Sequence, residues 1–79
     1  MVPIRLYEKE NCQQCVAASK FLAARGALVE TDQITDEVIE AARAQGVTSA
    51  PIIQFGELTF GGFNPGALLE VIEAQKAGK

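Results

Sequence analysis

Two cysteines stand three residues apart in Cys12-Gln13-Gln14-Cys15, and the chain holds no other thiol and no histidine. Thiols at this spacing exchange with other disulfides, bind metal, or sit inert in a core. A structural staple is the weakest use, because a disulfide across three residues closes a very short loop and its entropic benefit grows with loop length. A structural zinc site normally takes four ligands. Two cysteines supply half of them, so a zinc or iron–sulfur module would need carboxylates or a second copy of the chain. Dithiol–disulfide exchange is the chemistry these residues favour.

The elements around the pair divide its labour. Ile4 to Tyr7 reads as a strand, Glu8 to Asn11 as a polar loop, and about Cys12 to Arg25 as a helix stopped by Gly26. Cys12 then sits at a helix tip, where the dipole and free N–H groups favour thiolate, so its pKa should fall below the reference of about 8.5. Lys9 adds a positive charge nearby, and Glu8 and Glu10 oppose it. Cys15 lies one turn deeper and begins a stripe with Ala18 and Leu22 that should face the sheet. Cys12 is therefore expected to be exposed and to attack, and Cys15 to be shielded and to resolve the mixed disulfide.

The remaining elements follow from local signals. Ala27 to Thr31 reads as a second strand. Thr35 caps a helix that has Asp36 and Glu37 in its first turn and ends at Gly46. Ile52 to Phe55 and Leu58 to Phe60 are joined by Gly56-Glu57, which implies an antiparallel hairpin. Asn64 caps a last helix with Pro65 in first position and an apolar stripe of Leu68, Leu69 and Ile72. The order is β-α-β-α-β-β-α, an α/β fold with a mixed four-stranded sheet and three helices, expected to be a single domain over residues 1–79. The first βαβ unit should be parallel with a right-handed crossover.

Composition excludes several classes. A net charge of −3 is unlike the basic stripe of a nucleic-acid binder. No apolar run approaches the ~20 residues of a membrane span, and none is flanked like a signal peptide, so a cytoplasmic location is expected. There is no P-loop or dinucleotide fingerprint. Electrons must arrive already carried by another thiol or a flavoprotein.

Two loops are candidates for holding a partner. In Thr48-Ser49-Ala50-Pro51, a proline beside the thiols would leave the backbone of Ala50 free to pair with an extended segment. In Phe60-Gly61-Gly62-Phe63, two glycines allow close approach of another backbone or a small thiol, with Phe60 and Phe63 as apolar walls. The plain alternatives are an edge proline and a flexible turn.

Together these residues resemble the thioredoxin superfamily, in particular its glutaredoxin-like NrdH-redoxins. The resemblance covers nearly the whole chain and rests on Ile4-Arg5-Leu6-Tyr7, Cys12-Gln13-Gln14-Cys15, Ala50-Pro51-Ile52, and Gly62-Phe63 followed by Pro65. It implies a thioredoxin-like fold with a cis peptide at Pro51, a redox-active Cys12–Cys15 disulfide, and no bound cofactor or metal. It also implies electrons from NADPH through thioredoxin reductase, delivery to the large subunit of a class Ib ribonucleotide reductase, and action as a monomer without nucleic acid or membrane. The implied partner surface comprises Lys9, Gln13, Gln14, Ser49, Ala50, Pro51, Gly61, Gly62 and Phe63. Phe60-Gly61-Gly62-Phe63-Asn64-Pro65-Gly66 stands where these proteins typically carry Trp-Ser-Gly-Phe-Arg-Pro-Asp. Gly61-Gly62 is closer to glutathione-dependent glutaredoxins, the alternative reading. Those usually follow the glycines with acidic or hydroxyl groups, where this chain has Asn64 and Pro65, and their common Pro-Tyr dipeptide is here Gln13-Gln14.

Overall fold

A computed structural model describes residues 2–78. Four strands form one sheet in the order β2-β1-β3-β4. They are β1 (Ile4–Glu8), β2 (Val29–Gln33), β3 (Ile52–Phe55) and β4 (Leu58–Gly61), and the helices are α1 (Gln13–Ala24), α2 (Asp36–Arg43) and α3 (Pro65–Lys76). β1 and β2 run parallel across α1, while β3 and β4 are antiparallel to their neighbours. Phe55 pairs with Leu58, so the hairpin turn is Gly56-Glu57 as the spacing predicts.

Side chains alternate across a strand. Ile4 and Leu6 of β1, with Ile53 and Phe55 of β3, build the core with Ala18 and Leu22 of α1 and Leu68, Val71 and Ile72 of α3. Tyr7, Ile52 and Gln54 lie on the opposite face, where α2 covers them incompletely and leaves a groove along Val38, Ala41 and Gln45.

Several expectations need correction. The second strand begins at Val29, not Ala27. Gly26, at φ +72°, ends α1 in a Schellman turn, with Gly26 N–H donating to Ala23 and Ala27 N–H to Leu22. That turn uses Ala27, and the strand continues to Gln33, opposite Glu8, which itself belongs to β1 and not to the loop. A second such turn at Gly46 stops α2 at Arg43. On α3, Leu69 is exposed, because the buried positions follow the i, i+3, i+4, i+7 pattern through Leu68, Val71, Ile72 and Gln75. Phe60 packs against the core opposite Ile53 and also borders the hollow beside Ser49 and Gly61.

Gln75 is the one buried polar side chain among the described residues, and its amide is fully used. Its Nε2 donates to the carbonyls of Val2 and Leu28, each at 2.8 Å, and its Oε1 accepts from Leu28 N–H at 3.1 Å. Ile4 N–H also donates to Leu28. This clamp joins α3 to the start of β1 and the approach to β2.

Candidate active site

Cys12 is the N-cap of α1 and is reached from β1 through Asn11, whose φ of 55° turns the chain into the helix. Asparagine tolerates that left-handed conformation better than most residues. The Cys12 sulfur caps the helix by accepting from Cys15 N–H at 3.1 Å. It is also joined to Cys15 in a disulfide, with the two Cα atoms 5.2 Å apart. Cys12 is partly exposed, whereas Cys15 is 1 % exposed and lies in line with the buried Ala18 and Leu22. An attacking disulfide or thiol can therefore reach Cys12 and not Cys15. Once the bond opens, the same helix-end N–H groups stabilise a Cys12 thiolate.

The surrounding residues divide into three groups. Lys9 and Gln13 are exposed and line the depression around the disulfide, with Glu8, Glu10 and Val16. Pro51 is buried and follows a cis peptide from Ala50. Among the described residues the N–H and C=O of Ala50 make no hydrogen bond. Gly61 ends β4, and Gly62 and Phe63 form the turn into α3, which is tied to the proline loop and to Gln14 of α1. Gly62 N–H donates to the Pro51 carbonyl at 2.9 Å, and Phe63 N–H donates to Gln14 Oε1 at 3.1 Å.

That last bond was not foreseen from sequence. Gln14 uses its oxygen to hold the chain's own turn, 49 residues away. The glycines are also occupied from within. A Cβ on Gly61 would lie 2.5 Å from the Ser49 carbonyl oxygen, and one on Gly62 would lie 3.3 Å from Gln14 Oε1. The close backbone approach permitted at Gly61 is thus made by Ser49. Phe63 is 38 % exposed and stands edge-on to Phe21, centroids 5.8 Å apart, while Arg25 covers the Phe21 ring at 3.6 Å. The only sequence signal for this cluster is the placement of aromatic residues near the glycine pair.

No protein-family model matches the chain. It is 34% identical over 65 residues to the glutaredoxin-like protein NrdH of Salmonella typhimurium, covering 78% of this chain and 79% of that protein. The chain belongs to the NrdH family of glutaredoxin-like proteins. The NrdH-redoxin of Escherichia coli superimposes with a TM-score of 0.79 at 30% identity, over 89% of this chain and 95% of that one. A glutaredoxin from Archaeoglobus fulgidus does so with a TM-score of 0.73 at 26% identity, over 91% and 87%. The fold is therefore thioredoxin-like, as the element order and the resemblance implied. With its Cys12–Cys15 pair, this NrdH relative is a thiol–disulfide oxidoreductase. Among the described residues no three His, Cys, Asp or Glu side chains are grouped to hold a metal ion, and no helix is long and apolar enough to cross a membrane.

Proposed function

We propose that the chain is a single-domain, monomeric cytoplasmic carrier that takes electrons from NADPH through thioredoxin reductase and delivers them to the large subunit of a ribonucleotide reductase. The observation that carries the mechanism is the unequal exposure of two sulfurs already within bonding reach. The Cys12 thiolate attacks a substrate disulfide, forming a Cys12–substrate bond and releasing one substrate thiolate. Cys15 then attacks the Cys12 sulfur, closing the internal disulfide and releasing the second substrate thiol. Two electrons pass to the substrate; the proton that Cys15 gives up goes to one substrate sulfur, and the other takes a proton from water. The free backbone groups of Ala50, with Ser49 and Pro51 behind them, align the substrate segment beside Cys12. Lys9 and Gln13 border its path, and Gln14 holds the Gly61-Gly62-Phe63 turn beside it.

Two observations favour thioredoxin reductase over glutathione. The E. coli NrdH-redoxin is described by its thioredoxin-like activity profile. In this chain Asn64 Oδ1 caps α3 by accepting from Ala67 N–H, and Pro65 has no donor, so neither is free to hold the amino end of glutathione. The test is NADPH oxidation by the purified protein with thioredoxin reductase and a protein disulfide. Turnover is expected there, with little when glutathione and its reductase are substituted. Cys12→Ser should abolish activity and Cys15→Ser should accumulate a mixed disulfide. Equal trapping by both variants would refute the assigned roles.

A further inference from the structure

A second groove, of about 170 Å³, opens on the α2 side of the disulfide. Ile34, Ile39, Val47 and Ala50 contribute its apolar walls, and Lys9 and Arg43 stand among them. An apolar cavity of about 150 Å³ holds benzene, so the groove admits one branched aliphatic side chain or one ring. Lys9 also lines the depression around Cys12, so the two spaces adjoin at that side chain. Ala50, with its unused backbone groups, stands at the groove.

The charge around this groove is distinctive. The chain is acidic overall, at −3. Yet the groove is lined by two cations and by no Asp or Glu; Asp36, Glu37 and Glu40 of α2 all lie outside it. Among the described residues the only ion pair joins Arg5 to Glu30, so Lys9 and Arg43 are both unpaired. Ile39 remains 37% exposed. Glu8 and Glu10, by contrast, border the disulfide itself.

We propose that this groove docks a segment of the disulfide substrate in which an apolar side chain is flanked by carboxylates, set a few residues from the cysteine that Cys12 attacks. The apolar side chain fills the space between Ile39 and Val47, and the carboxylates meet Arg43 and Lys9. Glu8 and Glu10 disfavour acidic residues immediately beside the attacked cysteine, so the preference falls on the distal positions. The proposal rests on the thiol–disulfide oxidoreductase activity and names the substrate feature that activity selects.

The test is a single-turnover reaction of the pre-reduced protein with fluorescent peptides, each closed by one internal disulfide. Cys12 and Cys15 supply both electrons, so no further reductant is needed. Three peptides carry Glu-Leu-Glu, Glu-Gly-Glu or Lys-Leu-Lys beyond the disulfide. The Glu-Leu-Glu peptide should react fastest. Its advantage over Lys-Leu-Lys should fall roughly threefold in Arg43→Ala, the scale of an exposed ion pair, and roughly tenfold in Arg43→Glu, where repulsion is added. High salt should shrink the advantage in the wild type. Equal rates for the three peptides, alongside ready reduction of a small disulfide, would overturn the docking site and leave the redox activity standing. No reduction of any disulfide would count against the redox reading instead. Concentration-dependent self-association that Arg43→Glu abolishes would assign the groove to a second copy and also overturn the proposal.

Discussion

Gly61→Ala is the most demanding test of how the site is assembled. The added Cβ would sit 2.5 Å from the Ser49 carbonyl oxygen, 2.7 Å from Val47 Cγ1 and 3.3 Å from the Ser49 carbonyl carbon, where ordinary contacts begin at 3.4 Å. The overlap with Ser49 is against backbone and cannot be relieved by a rotamer change. Ser49 lies two residues before Pro51, whose carbonyl is held by Gly62, so relief must move the loop or β4. Overpacking of this kind costs about 1–3 kcal/mol. At about 4–8 °C per kcal/mol for a domain of this size, a cost of about 2 kcal/mol lowers Tm by about 8–16 °C. Gly66→Ala is the control. Its Cβ would meet only Asn64 Oδ1 at 3.6 Å, and alanine favours a helix over glycine by about 0.5–1 kcal/mol, so Tm should rise by a few degrees. Thermal unfolding of the oxidised proteins by circular dichroism measures both. A Tm for Gly61→Ala within about 2 °C of wild type would refute the claim that β4 and the proline loop are locked together at this point.

Further predictions concern the two glutamines. Gln14→Ala should cost no more than about 1 kcal/mol, since the bond it removes is exposed, yet should speed amide exchange at Phe63 and raise KM for protein disulfides. Gln14→Glu keeps the acceptor and should retain the slow exchange; equally fast exchange in both variants would disprove the tether. Gln75→Leu leaves the Val2 carbonyl and the Leu28 N–H without their partner, while the Leu28 carbonyl keeps Ile4 N–H, and should destabilise by about 1–3 kcal/mol in urea titration, partial access of water to Leu28 limiting the loss. An unchanged urea midpoint would show that water replaces the clamp.

What could be read from sequence was what local chemistry decides. Gly26 and Gly46 end helices, Thr35 and Asn64 begin them, and Gly56-Glu57 fits a two-residue hairpin, so the element order followed. The thiol pair was legible for the same reason: spacing and a helix start set the exposure of Cys12 against Cys15. Errors arose where two local rules compete for the same residues. Ala27 has strand character but is used by the turn that ends α1, and Leu69 is apolar but stands about 100° around the helix from Leu68. Gln14 and Gln75 were opaque because their partners lie 49, 47 and 73 residues away, beyond any pattern of period two or 3.6. The groove beside Arg43 was hidden likewise, since only tertiary packing brings α2 beside Lys9 and Ala50.

The Gln75 clamp also bears on how the chain reaches this state. Its bonds span nearly the full sequence, so the loop-closure entropy must be met before they reward it. Among the described residues the partner of Leu28 N–H is Gln75 Oε1, so the protection of this amide depends on α3 being docked. Its exchange should therefore report, in the native protein, how firmly the end of α3 is held against the β1–β2 junction.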